Sequence, residues 1–369
     1  MPIDRPAFPA PRAPRRDKLV AHHGIELADP YAWLRDDDWE KAIDDLGLID
    51  PPIRAYLEAE NAYTEAALAG TATLRDRLQN EFRGRIANVD STVPEAIDGW
   101  AYYERFETDA EHPVLCRRPV LGGPEQVMLD CDAAARAKPF WSMAEAIPSP
   151  DHKLLAYAFD ATGSERCALR IRDLSAGRNL PDRMTGVLGD LAWSADSRVL
   201  FSVRLDRQQR PMQLWRHTVG TPVADDVLVF EETDPQFEVA VGVTQSGRFV
   251  LLESHAHEAS EIWLIDAELP SAPPRCVCPR SVGHQYSVDH YADAAGDQLV
   301  IVTNSAGAED YRVCTALVAA LDIKNWREIV PHVQGRRIID HVAYARPPVR
   351  LAREDGQPRI VVRRWRDGA

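Results

Sequence analysis

The chain has 369 residues, is 45% hydrophobic and carries a formal charge of -14, which is material for about one to three domains with a large core. A field of that sign repels nucleic acid and anionic membrane surfaces, so neither is expected as a partner. No run of 18 uncharged apolar residues occurs, and no transmembrane helix is expected.

Residues 1–18 are rich in Pro and Arg and read as a flexible lead-in. No apolar segment follows their arginines, so they do not read as a secretory signal, and cytoplasmic residence is the default expectation. The acidic run Asp36-Asp37-Asp38 reads as a solvated cluster rather than a cation site. Asp50 is expected to cap a helix that starts at Pro51, where a missing N–H costs nothing. Ile53, Tyr56 and Leu57 share one face of it, and Gly70 is a plausible stop. Thr71 is expected to cap a second helix, with Leu74, Leu78 and Phe82 at four-residue intervals, ending at Gly84. Neither helix can bury its stripe alone.

From about Ile86 the period changes from helical to two. One phrase then recurs about every 48 residues: PSPDHKLLAYAFD from Pro148, WSADSRVLFSVRLD from Trp193, TQSGRFVLLESH from Thr244 and YADAAGDQLVIVTN from Tyr291. Each is a tight turn at Asp151, Asp196, Gly247 or Gly296, followed by an apolar strand such as Val199, Phe201, Val203 and Leu205. A second phrase answers about 20 residues later: CALRIRDL, QLWRHTV, EIWLIDAE and TALVAALD. This is the spacing of β-propeller blades, with units expected at about 86–135, 136–185, 186–235, 236–283 and 284–333. A further unit starts near Gln334 and includes Ile338-Ile339 and Ile360-Val361-Val362. Within it, adjacent Pro347 and Pro348 in the run from Arg346 stand where ladder donors are expected. The fold class is therefore mainly β: an incomplete propeller of about five to six blades over residues 86–369, preceded by a helical segment over 1–85. The open last unit leads us to expect a truncated chain. Trp100, Trp193, Trp215 and Trp263 fall at repeating positions and are expected between blades.

Six cysteines are scattered, and Cys276 and Cys278 are too close together for a disulfide framework or a zinc knuckle. Buried free thiols are expected, which suits a reducing compartment. His255 and His257 have a spacing that could put two imidazoles on one strand face. With no third ligand evident, they read as loop histidines, and no metal or cofactor is expected.

Two stretches carry a family likeness. DPYAWLRD (29–36) with YLEAENAYTE resembles the N-terminal signature of prolyl oligopeptidase-type serine peptidases. EFRGRIANVDSTVPEAIDGWAYYERFETDAEHPVLCRRP (81–119) and NWREIVPH (325–332) resemble the oligopeptidase B branch in particular. The resemblance spans nearly everything from residue 15 to 365. It implies a seven-bladed propeller inserted between an N-terminal helical segment and an α/β-hydrolase peptidase domain on which the helices pack. It also implies a propeller that admits short peptides, and cleavage after Arg or Lys. The implied partners are short basic peptides, reached through a peptidase domain missing from this chain or supplied by a partner chain.

Acyl transfer of this class needs a nucleophile elbow, G-x-S-x-G, followed by Asp and His. No such pentapeptide occurs. Thr303-Asn304-Ser305-Ala306-Gly307 comes nearest, lacks the first Gly and reads as a blade turn. No catalytic residue is therefore assigned, and the chain alone is expected to be inactive. The resemblance implies that acidic propeller residues pair with arginines of the peptidase domain. Glu165, in the turn before CALRIRDL, is the candidate for such an inter-domain contact, beside the plainer reading of a solvated turn. The alternative to the peptidase reading is a free-standing propeller that acts as a binding module.

Overall fold

The computed structural model describes residues 9–87, 89–294, 296–344 and 348–362. Arg346 and Pro347 lie outside them, and Pro348 opens a strand. The chain divides into two compact units, Met1–Ala134 and Ala135–Ala369.

The first unit opens with a hairpin, Leu19–His22 paired with Ile25–Ala28. His23 and Gly24 turn it with φ of 53° and 77°, the conformation a two-residue hairpin loop demands. Three helices follow: α1 (Trp39–Asp44), α2 (Pro51–Leu68) and α3 (Ala72–Arg83). Both long helices begin where the sequence signals them, but neither is capped as expected. Asp50 makes no side-chain cap bond, because prolines at the first two helical positions remove the nearest donors. Thr71 belongs to a 3-10 turn, Ala69–Thr71, that joins α2 to α3, and its hydroxyl donates back to the Leu68 carbonyl at 2.7 Å. Trp33 pins the preceding segment: its indole N–H donates to Pro14 O at 2.8 Å, Arg16 lies over its ring at 4.1 Å, and Tyr56 of α2 meets it edge-on. Asp36 organises the acidic run by accepting the Asp38 and Asp50 backbone N–H groups, both at 2.8 Å, which hold its pKa below the ordinary value. The first blade closes this unit, with strands Asp90–Ser91, Glu95–Ile97, Trp100–Phe106, Val114–Pro119 and Gln126–Asp130.

The second unit is a succession of antiparallel blades. A seven-stranded sheet holds the second and third blades together. Strand Arg178–Trp193 serves both: it pairs with Cys167–Asp173 up to Val187 and with Val199–Leu205 from Val187 onward, with a register shift between Val187 and Leu191. Gly186, at φ 69°, allows the bend. The fourth blade runs Glu238–Val243, Phe249–His255, Ser260–Asp266, Arg275–Cys278. The fifth runs Tyr286–Asp293, Gly296–Thr303, Arg312–Leu317, Arg327–Val330. The sixth has Arg336–Ala343, Pro348–Glu354 and Gln357–Val362.

The strands at second position in the second to fifth blades are buried on both faces over most of their length, and this explains their near-continuous apolar runs. Val199, Phe201 and Val203 enter the core with the fourth blade, whereas Leu200 enters the core with the second. Stacking sheet on sheet removes each strand from water on both sides. Trp193 is 4% exposed and belongs to the core between the second and third blades, and Trp263 packs at the edge of the next. All six cysteines are free and, apart from half-buried Cys276, buried. Burial raises the thiol pKa of Cys116 and Cys167 to about 11 and of Cys131 and Cys276 to about 12, so none is primed as a nucleophile. No helix among the described residues is long and apolar enough to cross a membrane.

Candidate functional site

Glu165 sits at the tip of the hairpin joining Leu154–Asp160 to Cys167–Asp173 in the second blade. The loop is built around Asp160, 5% exposed, whose carboxylate accepts the backbone N–H of Thr162 (2.8 Å), Gly163 (3.0 Å) and Glu165 (2.7 Å). Burial alone would raise its pKa. The three donors outweigh burial and hold it below the ordinary carboxylate value. This wrapping forces Glu165 to φ 61°, a region disfavoured for a side chain with a Cβ, and leaves its carboxylate exposed. The hairpin therefore presents one negative charge on a preorganised, strained tip.

A second acidic feature has no single sequence motif. Glu145 lies on Ser142–Pro148, Asp190 on the shared bent strand, and Glu253 on Phe249–His255. Desolvation raises the pKa of all three, although the Glu145 residue is exposed overall, and Asp190 adds to the rise at both Glu145 and Glu253. Asp190 also accepts a backbone bond from Val241, and exposed His255 offsets part of the repulsion on Asp190 and Glu253. Asp190 thus acts electrostatically on carboxylates from the blades on either side of it. Glu145 and Asp190 are about one blade repeat apart, and that spacing was the only signal available in the sequence. Such a group favours an incoming cation, because a positive charge relieves desolvation and like-charge repulsion together.

The elbow imitation is a turn. Ser305–Gly307 is a short 3-10 segment with Ala306 at φ 59°, and strand Arg312–Leu317 follows. Ser305 Oγ accepts from Arg312 at 3.0 Å, and His284, the nearby imidazole, contacts Thr303 Oγ1 at 3.0 Å. A serine bonded to a guanidinium has no base to take its proton. His255 and His257 are both exposed. Among the described residues no group of three or more His, Cys, Asp or Glu could hold a metal ion.

The first unit has an apolar site of its own. On α3, Leu74, Leu78 and Phe82 are 41%, 37% and 59% exposed, and they line a shallow groove with Thr71, Arg75 and Gln79. The four-residue spacing predicted the stripe.

A family model, the prolyl oligopeptidase N-terminal β-propeller domain, matches residues 11–369. Dipeptidyl aminopeptidase BI of Pseudoxanthomonas mexicana is 33% identical over 358 residues, covering 90% of this chain and 47% of that protein. Protease 2 of Moraxella lacunata is 28% identical, covering 96% and 49%. Oligopeptidase B from Leishmania major superposes with a TM-score of 0.88 at 26% identity, over 98% of this chain and 52% of that one. The chain spans about half the length of the curated relatives it matches.

Proposed function

The chain belongs to the prolyl oligopeptidase family as its N-terminal β-propeller part, and from that premise we propose that it forms the gating half of an oligopeptidase B-like serine peptidase. In this reading the blades restrict a peptidase domain to short peptides, and cleavage follows Arg or Lys. Catalysis resides in the peptidase domain, and this chain alone is inactive. The observation that carries the reading is the family match over residues 11–369, and the electrostatic influence of Asp190 on Glu145 and Glu253, carboxylates of successive blades, supports an acidic surface suited to basic peptides. The exposed α3 stripe supports it from the other unit, as the surface on which the peptidase domain docks. Free, buried thiols suit a cytoplasmic protein. Glu165 pairs with an arginine of the peptidase domain in the closed state.

A second reading, release of dipeptides from a free amino terminus, is favoured by the 33% identity to dipeptidyl aminopeptidase BI. Both readings are tested by assaying the chain alone and co-expressed with the peptidase half of that relative. Blocked Arg- or Lys-terminated peptides and dipeptides with a free amino group serve as the two substrates. No turnover alone, and restored cleavage of the blocked peptides in the complex, is expected. Preference for the free-amino substrates selects the second reading. Turnover by the purified chain alone, or failure of any complex to form, overturns the gating role.

A further inference from the structure

One buried carboxylate ties three successive blades together. Asp289, 7% exposed on strand Tyr286–Asp293, accepts on Oδ1 from Gln245 N of the fourth blade at 2.8 Å and from His290 N of its own strand at 2.8 Å. Its Oδ2 accepts from Ala343 N, at the end of strand Arg336–Ala343 of the sixth blade, at 2.6 Å. Two residues before Ala343 lies His341, 9% exposed. Its Nε2 donates to Val300 O of the fifth blade at 3.2 Å, so in the neutral ring the proton sits on Nε2 and Nδ1 is bare. That Nδ1 is buried and has no hydrogen-bond partner.

We propose that the junction between the fifth and sixth blades is an acid-operated catch, in which a single proton on His341 Nδ1 releases strand Arg336–Ala343 from the fifth blade. The bookkeeping of donors leads there. A protonated Nδ1 is a buried donor that needs an acceptor. No acceptor lies within hydrogen-bond reach of Nδ1 in the folded junction, and the carboxylate of Asp289, whose oxygens already take three backbone N–H groups, is reached only by moving the strand that also carries the Ala343 tether. The other outlet is water, and reaching it requires the strands to part. None of the remaining charged groups around the ring bonds Nδ1: Arg350 lies opposite His341 in the strand register and is a cation, and Asp340 accepts the His341 backbone N–H at 2.7 Å. His290 belongs to the other side of the same junction. It contacts Ser246 Oγ through Nδ1 at 2.7 Å and approaches Asp297 through Nε2 at 3.4 Å.

Burial lowers the pKa of His341, against the opposing pull of Asp289, and burial likewise lowers that of His290. The sign follows from linkage. A histidine whose folded pKa is depressed contributes stability that is fully present above the unfolded value of about 6.5 and is lost as pH falls through that value toward the folded pKa. The catch is therefore shut at neutral pH and opens on acidification.

Hydrogen exchange of the whole chain, corrected for intrinsic chemistry, reads this directly between about pH 8 and about pH 5. Protection of residues 336–343 is expected to fall about tenfold toward the acid end, while that of Leu154–Asp160 and Val199–Leu205 stays constant. His341→Gln keeps an amide donor for Val300 O and removes the titration, so its profile should be flat. His257→Gln, in an exposed loop, should leave the wild-type profile unchanged. A flat wild-type profile, or an undiminished acid response in His341→Gln, overturns the proposal. Should that variant fail to fold, nitrogen-15 spectra of the wild-type imidazoles decide the point: Nδ1 of His341 must be unprotonated at about pH 8, and a protonated Nδ1 in the intact junction overturns the catch.

Discussion

The two units spend their apolar residues in opposite ways. In the second unit, Phe201 and its neighbours are taken out of water by sheets on both sides. In the first, α3 has sparser apolar side chains at regular spacing and leaves Leu74, Leu78 and Phe82 well exposed. Both patterns are equally regular in sequence. The difference is that a blade finds its partner about 48 residues along the same chain, whereas a helix stripe must wait for a surface of another kind. Regular patterning therefore reports that a face is to be buried, not what buries it.

The largest test of that contrast is a matched pair of truncations. Phe201→Ala, at a fully buried site, should lower the unfolding free energy of the second unit by about 3–5 kcal/mol. Phe82→Ala should leave stability within about 0.5 kcal/mol. Urea denaturation of each variant reads both values, and an equal loss for the two would erase the distinction between the units.

A finer test compares two aspartates that organise loops through backbone N–H groups. Asp160→Ala removes a buried carboxylate, leaves the donors of a part-buried turn without their acceptor, and should cost about 1–3 kcal/mol. Asp36→Ala in the first unit frees donors at the surface, where water replaces the carboxylate, and should shift the thermal midpoint far less. The Asp160 contribution is present above its unfolded pKa of about 3.9 and is lost as pH falls through its lower folded value. Wild-type and Asp160→Ala stabilities should therefore converge in acid. Divergence there would mean that the carboxylate acts through something other than its charge.

The smallest effect is expected at Glu165. Replacing it by Gly relieves the φ of 61° and should stabilise the hairpin by up to about 1 kcal/mol. A loss of stability would show that the glutamate side chain is held by contacts within the unit rather than reserved for a partner.

The blades were legible because turn and strand chemistry repeat. The expected units 136–185, 186–235, 236–283 and 284–333 correspond to strands spanning 142–187, 187–231, 238–278 and 286–330. The helices at 51–68 and 72–83 were legible for the same reason, through their start residues and apolar spacing. What escaped was set by geometry between distant residues. Nothing local marks Asp289 as a three-blade tie, or Glu253 as a neighbour of Asp190, since each looks like an ordinary strand carboxylate. The hairpin at His23-Gly24 was missed because its strands carry no alternation to flag them, and its apolar residues Leu19, Ile25 and Leu27 remain exposed. The two helix caps do not form: prolines fill the first two positions of one helix, and a 3-10 turn runs directly into the other.

The strand Arg178–Trp193 belongs to two blades at once, and this limits how the chain can be recombined. Between the fourth and fifth blades, or the fifth and sixth, the connection is a loop, and a whole module can in principle be excised, duplicated or transplanted at that seam. Between the second and third blades there is no seam. A crossover anywhere from residue 178 to 193 would leave one module without its last strand and the next without its first. A library that shuffles this fold should therefore keep these two blades as a pair and cut around them.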